Sequence, residues 1–282
     1  MKNLSDINVI KDVMTRHGFS FSKALGQNFI IDPTVCPRIA DESLIDGETG
    51  VIEIGAGVGV LTAELAKRAR KVVCVELDKR LLPVLDETLS DFDNVIVIND
   101  DILKVDLHKL IDEQFGGMRV CVCANLPYYI TSPIIMTLLE AHLPIDSITV
   151  MVQREAADRL CAEVGSRDAG AVTVAVNYYA KAQKLFNVSR GAFMPSPNVD
   201  SAVIKLDMRD EPPVEVDDEK KFFRLVKSAF GQRRKTAANS ISSGMGLPKE
   251  TVISALESGG FDKSVRAESF TMDDFCKLAK LL

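Results

Sequence analysis

Val51-Ile52-Glu53-Ile54-Gly55-Ala56-Gly57-Val58-Gly59-Val60-Leu61 is an apolar, β-branched run that ends in three alternating glycines and passes into a helical pattern over 60–70. The spacing predicts strand, tight turn and helix. Glycines at such a turn allow positive φ and let a ligand lie against bare backbone, where the next helix offers unpaired N–H groups. That arrangement suits a nucleotide, although ordinary strand-to-helix turns also use glycine.

The following strand narrows the ligand. Lys71-Val72-Val73-Cys74-Val75-Glu76 is short and β-branched, and it ends in an acid about 20 residues after the loop, where a carboxylate can hold both hydroxyls of a ribose. The G-x-G-x-G spacing is not the G-x-G-x-x-G that seats a dinucleotide pyrophosphate, and no Gly-Lys-Ser/Thr follows to cradle a triphosphate. A ligand with a ribose and little charge fits better. The loop resembles the E/D-x-G-x-G-x-G loop of S-adenosylmethionine-dependent methyltransferases, with Glu53 in the acidic position.

Composition sets outer bounds. The chain has 282 residues, 46% of them hydrophobic and 26% charged, as in an ordinary globular protein with room for one large domain and one small one. Its formal charge of −6 argues weakly against a nucleic-acid partner. Locally the balance reverses, because 220–235 carries Lys220, Lys221, Arg224, Lys227, Arg233, Arg234 and Lys235 with no acid among them. The six cysteines lie mostly in apolar runs without C-x-x-C spacing, and no histidine completes a ligand set beside Cys121 and Cys123, so reduced core thiols and no metal site are expected. Residues 1–21 mix acids and bases without an apolar core, which predicts neither a secretory nor a transit peptide and points to the cytoplasm. The uncharged stretch 120–139 approaches the length of a membrane span, but Asn125, Pro127, Ser132 and Pro133 break it into strand, loop and helix, so no membrane partner is expected.

Along the chain, helical patterns at 4–17, 34–45, 79–90, 103–114, 132–141 and 153–163 alternate with strands at 71–76, 94–98, 119–124 and 147–152, the signature of a parallel sheet covered on both faces. The segment 170–180 is apolar and ambiguous, and 199–206 alternates as a strand. The acidic 207–219 contains Pro212-Pro213 and reads as a linker, beyond which only helices at about 219–230, 248–258 and 271–281 are expected. The reading is therefore an α/β domain over 1–207 and a small all-helical domain over 208–282.

In an open α/β sheet the ligand lies beyond the carboxyl ends of the strands. The third strand ends in Asn99-Asp100-Asp101-Ile102, where either aspartate could accept from an adenine amine or simply cap the next helix. The fourth ends in Asn125-Leu126-Pro127-Tyr128-Tyr129, a proline-held turn carrying two aromatics. An adenine N6 amine delocalises its lone pair into the ring, and attack on a sulfonium methyl needs that pair on nitrogen. The Asn125 oxygen and a nearby backbone carbonyl, at Leu126, can accept both N–H bonds, while Tyr128 stacks on the base. Phe193-Met194-Pro195-Ser196-Pro197 sets an aromatic on a stiffened loop, either a rigid turn or a second wall of a base-clamping pocket.

With Gly26-Gln27-Asn28-Phe29, the glycine loop, Glu76, Asn125-Leu126-Pro127-Tyr128 and Phe193-x-Pro195-x-Pro197-x-Val199-x-Ser201 in order, the chain resembles the ribosomal RNA adenine N6,N6-dimethyltransferases over about 23–235. The resemblance implies a Rossmann-like methyltransferase sheet and S-adenosylmethionine as cofactor. It implies that Asn28 and Ile30 touch the cofactor, Gly55 and Gly57 its methionine part, Glu76 its ribose, Asp101 its adenine, and Asn125 both cofactor and target amine. Leu126, Pro127, Tyr128 and Phe193 would complete the target pocket. Ile30 departs from the leucine common at its position.

Two branches of that family compete. Lys23-Ala24-Leu25-Gly26-Gln27-Asn28-Phe29 and Phe230-Gly231-Gln232-Arg233-Arg234-Lys235-Thr236 resemble the branch that dimethylates two adjacent adenosines in a hairpin loop near the 3′ end of small-subunit (16S) rRNA, with Lys23, Arg233, Arg234 and Lys235 as RNA contacts. The alternatives are the large-subunit (23S) resistance branch and a non-catalytic RNA-binding assembly factor. A monomer acting on small-subunit rRNA or a pre-ribosomal particle is expected.

Overall fold

Strands apolar on both faces must be covered on both sides, and the intervening helices are the cover. The computed structural model describes residues 4–19, 26–232 and 234–282. The chain forms two compact units, Met1–Ala157 with Gln183–Met208, and Asp158–Ala182 with Arg209–Leu282.

In the first unit, helix α1 (Ile7–Arg16) is followed by the short strand β1 (Phe29–Ile30), α2 (Val35–Glu42) and β2 (Thr49–Ile54). Then come α3 (Val60–Ala66), β3 (Lys71–Glu76), α4 (Leu82–Thr88), β4 (Val95–Asn99), α5 (Leu107–Phe115) and β5 (Arg119–Asn125). The chain continues through α6 (Thr131–Glu140), β6 (Ser147–Gln153), α7 (Arg154–Leu160), α8 (Ala171–Tyr179), β7 (Ala180–Val188), β8 (Phe193–Met194) and β9 (Ser201–Met208). Seven strands form one sheet in the order β4-β3-β2-β5-β6-β9-β7. From β4 to β6 neighbouring strands run parallel, and β9 is antiparallel to β6. The order reverses at β2, so β2 and β5 are neighbours whose connections leave in opposite directions, the place where such sheets open a crevice.

Side-chain alternation divides the core. Val51, Val72, Cys74 and Cys123 pack in one cluster with α1, α2, α3 and α4. Ile52, Val73 and Val122, offset by one residue, are buried on the other face. There Phe115 of α5 lies over Gly50, where a Cβ would come within 2.2 Å of the ring. The apolar stretch 120–139 resolves into β5, a turn and α6, and among the described residues no helix is long and apolar enough to cross a membrane.

The second unit adds α9 (Glu219–Phe230), α10 (Ala237–Met245), α11 (Lys249–Ser258) and α12 (Met272–Leu281), the last opened by a Thr271–Asp274 capping box. It also takes in 158–182, which the sequence boundary at 207 assigns to the sheet domain. The cause is aromatic: Tyr178 and Tyr179 of α8 pack on Phe222 and Phe223 of α9, with Tyr179 and Phe223 stacked at 5.3 Å. On α9, Phe222, Phe223, Leu225 and Val226 are buried, while Lys220, Arg224 and Lys227 are exposed.

Candidate active site

The carboxyl ends of β2, β3, β4 and β5 open onto one cleft, which also receives 26–30. Gly55, Gly57 and Gly59 all have positive φ, at 76°, 62° and 87°, so an L side chain there would be strained. Gly57 has a second constraint, since a Cβ would stand 3.0 Å from the Phe29 ring.

Glu76 projects from the end of β3. One of its oxygens accepts from Gly57 N at 2.9 Å and the other from Asp78 N at 2.8 Å. Burial raises its pKa, while these two bonds favour the anion. Each oxygen keeps a further lone pair, which a diol needs. At the end of β4 both Asp100 and Asp101 line the cleft. Asp101 caps the turn that follows, accepting from Leu103 N at 3.1 Å, and it lies 3.4 Å from Lys104 Nζ. The capping role and the place in the cleft therefore belong to the same residue.

Asn125, Leu126, Pro127 and Tyr128 line the cleft beside the glycine loop. Asn125 Nδ2 donates to Asn28 O at 3.2 Å, which ties the end of β5 to the 26–30 segment. Gln27 adds a second tie through Asp78 Oδ2 at 2.8 Å. The Pro127 carbonyl accepts from Ile130 N and from Thr131 Oγ1, each at 3.2 Å, and so closes the turn. Tyr128 Oη lies 2.6 Å from Ser201 Oγ at the start of β9. Half-burial raises the Tyr128 pKa, keeping a neutral ring for stacking.

Glu53, at the end of β2, is fully buried, and desolvation pushes its pKa up to about 7. Its Oε2 accepts from Cys74 Sγ at 3.2 Å. Among the described residues lining the cleft there is no Lys, Arg or His, only the acidic residues Glu53, Glu76, Asp100 and Asp101. Such a wall repels phosphates and accommodates a cation. S-adenosylmethionine, with a ribose, a sulfonium and no phosphate, fits that donor set.

Of the residues the sequence singles out, Asn28, Ile30, Gly55, Gly57, Glu76, Asp101, Asn125, Leu126, Pro127 and Tyr128 share this cleft. Phe193 does not line it: its ring is buried, paired across the β1–β8 ladder with Ile30, and packed in the core. The motif that carries Phe193 reaches the site through Ser201 instead. Arg234 and Lys235 are exposed in the second unit. Lys23 and Arg233 lie outside the described residues. Sequence reasoning left Gln27, Asp78 and Tyr129 without a role. Tyr129 is 57% exposed and rests against Gly26, where a Cβ would sit 3.3 Å from its ring.

The family model of ribosomal RNA adenine dimethylase matches residues 18–282. The chain belongs to the ribosomal RNA adenine dimethylase family. As a dimethylase it uses S-adenosylmethionine as methyl donor. It is 48% identical over 286 residues to a protein of Bacillus mycoides (strain KBAB4) named ribosomal RNA small subunit methyltransferase A, covering all of this chain and 98% of the relative. A Geobacillus thermodenitrificans protein of the same name is likewise 48% identical, over 287 residues, with 100% and 97% covered. Among solved structures, a dimethyladenosine transferase from Plasmodium falciparum superposes with a TM-score of 0.71 at 25% identity, covering 89% of the dimethylase and 95% of that chain. The 23S rRNA methyltransferase ErmE superposes with a TM-score of 0.66 at 29% identity, covering 90% and 99%.

Proposed function

We propose that this dimethylase transfers methyl groups from S-adenosylmethionine to N6 of two adjacent adenosines in a hairpin loop near the 3′ end of small-subunit rRNA, acting in the cytoplasm as a monomer on the RNA or a pre-ribosomal particle. The observation that carries the choice of RNA is the end-to-end 48% identity to relatives named for the small subunit, against 29% to the 23S enzyme ErmE.

Within the cleft, Gly55 and Gly57 would face the methionine part, Glu76 would hold the ribose diol, Asp101 would meet the adenine, and Asn28, Ile30 and Asn125 would complete the contacts to the cofactor. S-adenosylmethionine supplies a methyl on a positively charged sulfur, an electrophile strong enough to make a general base for the amine unnecessary. The target base stacks on Tyr128. The Asn125 oxygen and the Leu126 carbonyl accept hydrogen bonds from the amine, pyramidalise the nitrogen and stabilise the positive charge that develops on it, and the surplus proton leaves to solvent. Arg233, Arg234 and Lys235, with Lys23, contact phosphates and position the RNA without reading its sequence.

The test is incubation with radiolabelled S-adenosylmethionine and either small subunits lacking these methyl groups or naked large-subunit RNA. Label recovered as N6,N6-dimethyladenosine from the small subunit supports the reading. Label in large-subunit RNA alone moves the enzyme to the resistance branch, and label in neither favours an assembly factor.

A further inference from the structure

Of the four carboxylates lining the cleft among the described residues, Glu53 is the most deeply buried, at 1% exposed. Its setting differs in kind from that of Glu76. Two backbone N–H groups solvate the Glu76 anion, whereas Glu53 has a thiol and a hydroxyl for partners, Cys74 at 3.2 Å and Thr62. The groups facing it are Cys36 from α2, Thr62 from α3, Cys74 and Glu76 from β3, and Cys123, its register partner on β5. None of these is a cation. A carboxyl this buried, with no cation facing it among the described residues, favours the neutral acid.

We propose that Glu53 senses the positive charge of the cofactor by proton linkage: protonated in the unliganded protein below neutral pH, it releases its proton to solvent when S-adenosylmethionine binds, and takes one back when the uncharged thioether product is left. The inference rests on the reading of the cleft as the cofactor site. Substrate and product differ by one unit of charge, the methyl on sulfur, and otherwise offer the cleft the same groups. A buried carboxyl on the cleft wall responds to that charge because the wall is poorly screened. Burial already holds Glu53 near its midpoint at neutral pH, about 7, so a modest field suffices to ionise it. The ionised wall favours the sulfonium and the protonated wall tolerates the thioether, which speeds exchange of product for fresh cofactor between successive methyl transfers.

Calorimetric titration of the full chain, in two buffers of different ionisation enthalpy and without RNA, counts the protons released. S-adenosylmethionine is expected to release more than about half a proton at about pH 6.5 and almost none at about pH 8.5, S-adenosylhomocysteine little at either, and Glu53→Gln with S-adenosylmethionine none. A second measurement needs no variant: the wild-type affinity for S-adenosylmethionine should rise with pH between about 5.5 and 7, by up to about tenfold per pH unit, while that for S-adenosylhomocysteine stays nearly level. Cofactor binding with no proton release at pH 6.5, or a constant affinity ratio across that range, overturns the proton linkage and leaves the cofactor site standing. No binding of S-adenosylmethionine overturns both.

Discussion

Tyr128 Oη and Ser201 Oγ lie 2.6 Å apart, joining the aromatic of the β5 turn to the first residue of β9. Ser201 is fully buried, so its hydroxyl has a fixed position, and the bond sets the plane of a half-buried ring. Ser201→Ala removes that anchor and leaves the ring's stacking surface intact. A bond of about 0.5–1.5 kcal/mol corresponds to a loss of about 2–10-fold in kcat/KM for RNA. Cofactor affinity should be unchanged, and Ser201→Thr should restore part of the rate. Steady-state kinetics on both substrates checks this, and an equal loss in cofactor affinity would refute it.

Asn125→Ala should lower methyl transfer by at least about 100-fold, the cost typical of removing one acceptor or donor from a developing charge. Its side chain is half-buried and its one described bond is to Asn28 O, so thermal unfolding should shift by no more than a few degrees. Near-normal turnover in single-turnover assays would remove Asn125 from the mechanism.

The pH dependence of stability carries a signature of Glu53. Its folded pKa is raised from 4.5 to about 7, so the folded state holds the proton more tightly than the unfolded chain. The stability it contributes is complete below about pH 4.5 and is lost as pH rises through 7. At about 1.36 kcal/mol per pH unit the loss comes to roughly 3–4 kcal/mol. Glu53→Gln, which stays neutral, should therefore gain stability relative to wild type as pH rises from 4.5 to 8, as read from denaturant midpoints. A pH-independent difference would contradict the burial of an acid that no cation faces among the described residues.

Gly50→Ala should destabilise the sheet unit by about 1–3 kcal/mol, because its Cβ would lie 2.2 Å from Phe115 Cδ1 and Phe115 is fully buried. Pairing it with Phe115→Leu should recover part of the loss beyond additivity. Additive unfolding energies would mean that the two residues do not meet.

Arg233→Glu with Arg234→Glu should weaken RNA binding by about tenfold or more at low salt and reduce its salt dependence, with cofactor affinity intact. Filter binding across a salt series is the check, and equal RNA affinity at low salt would remove the segment from the interface.

Periodicity and turn chemistry made most of the sheet unit legible. The run 71–76 coincides with β3, because a buried parallel strand is apolar on both faces and bounded by polar turns. The cleft residues on strand ends were readable for a related reason: topology sends every parallel strand's carboxyl end to the same side. β7 was not legible, since Ala180–Val188 places Lys181, Gln183 and Lys184 along a largely exposed edge strand whose alternation is blurred. Nor was α10, whose Ala237–Met245 is rich in serine and low in helix propensity. It forms because Thr236 caps it and because Gly244 lets Ser228 of α9 approach to where a Cβ would stand 2.6 Å away.

By itself the sequence determined which chemical groups this dimethylase brings to its cleft: glycines that yield to a ligand, an acid for a ribose, and an asparagine with a tyrosine for an amine. Only the tertiary structure decided which of them are anchored, and by what. Long-range packing placed Phe193 in the core and Ser201 on Tyr128, tied Asn28 to Asn125, and stripped Glu53 of water. Spacing along a chain specifies local conformation, whereas solvation and hydrogen-bond partners depend on residues distant in sequence that meet only when the sheet closes.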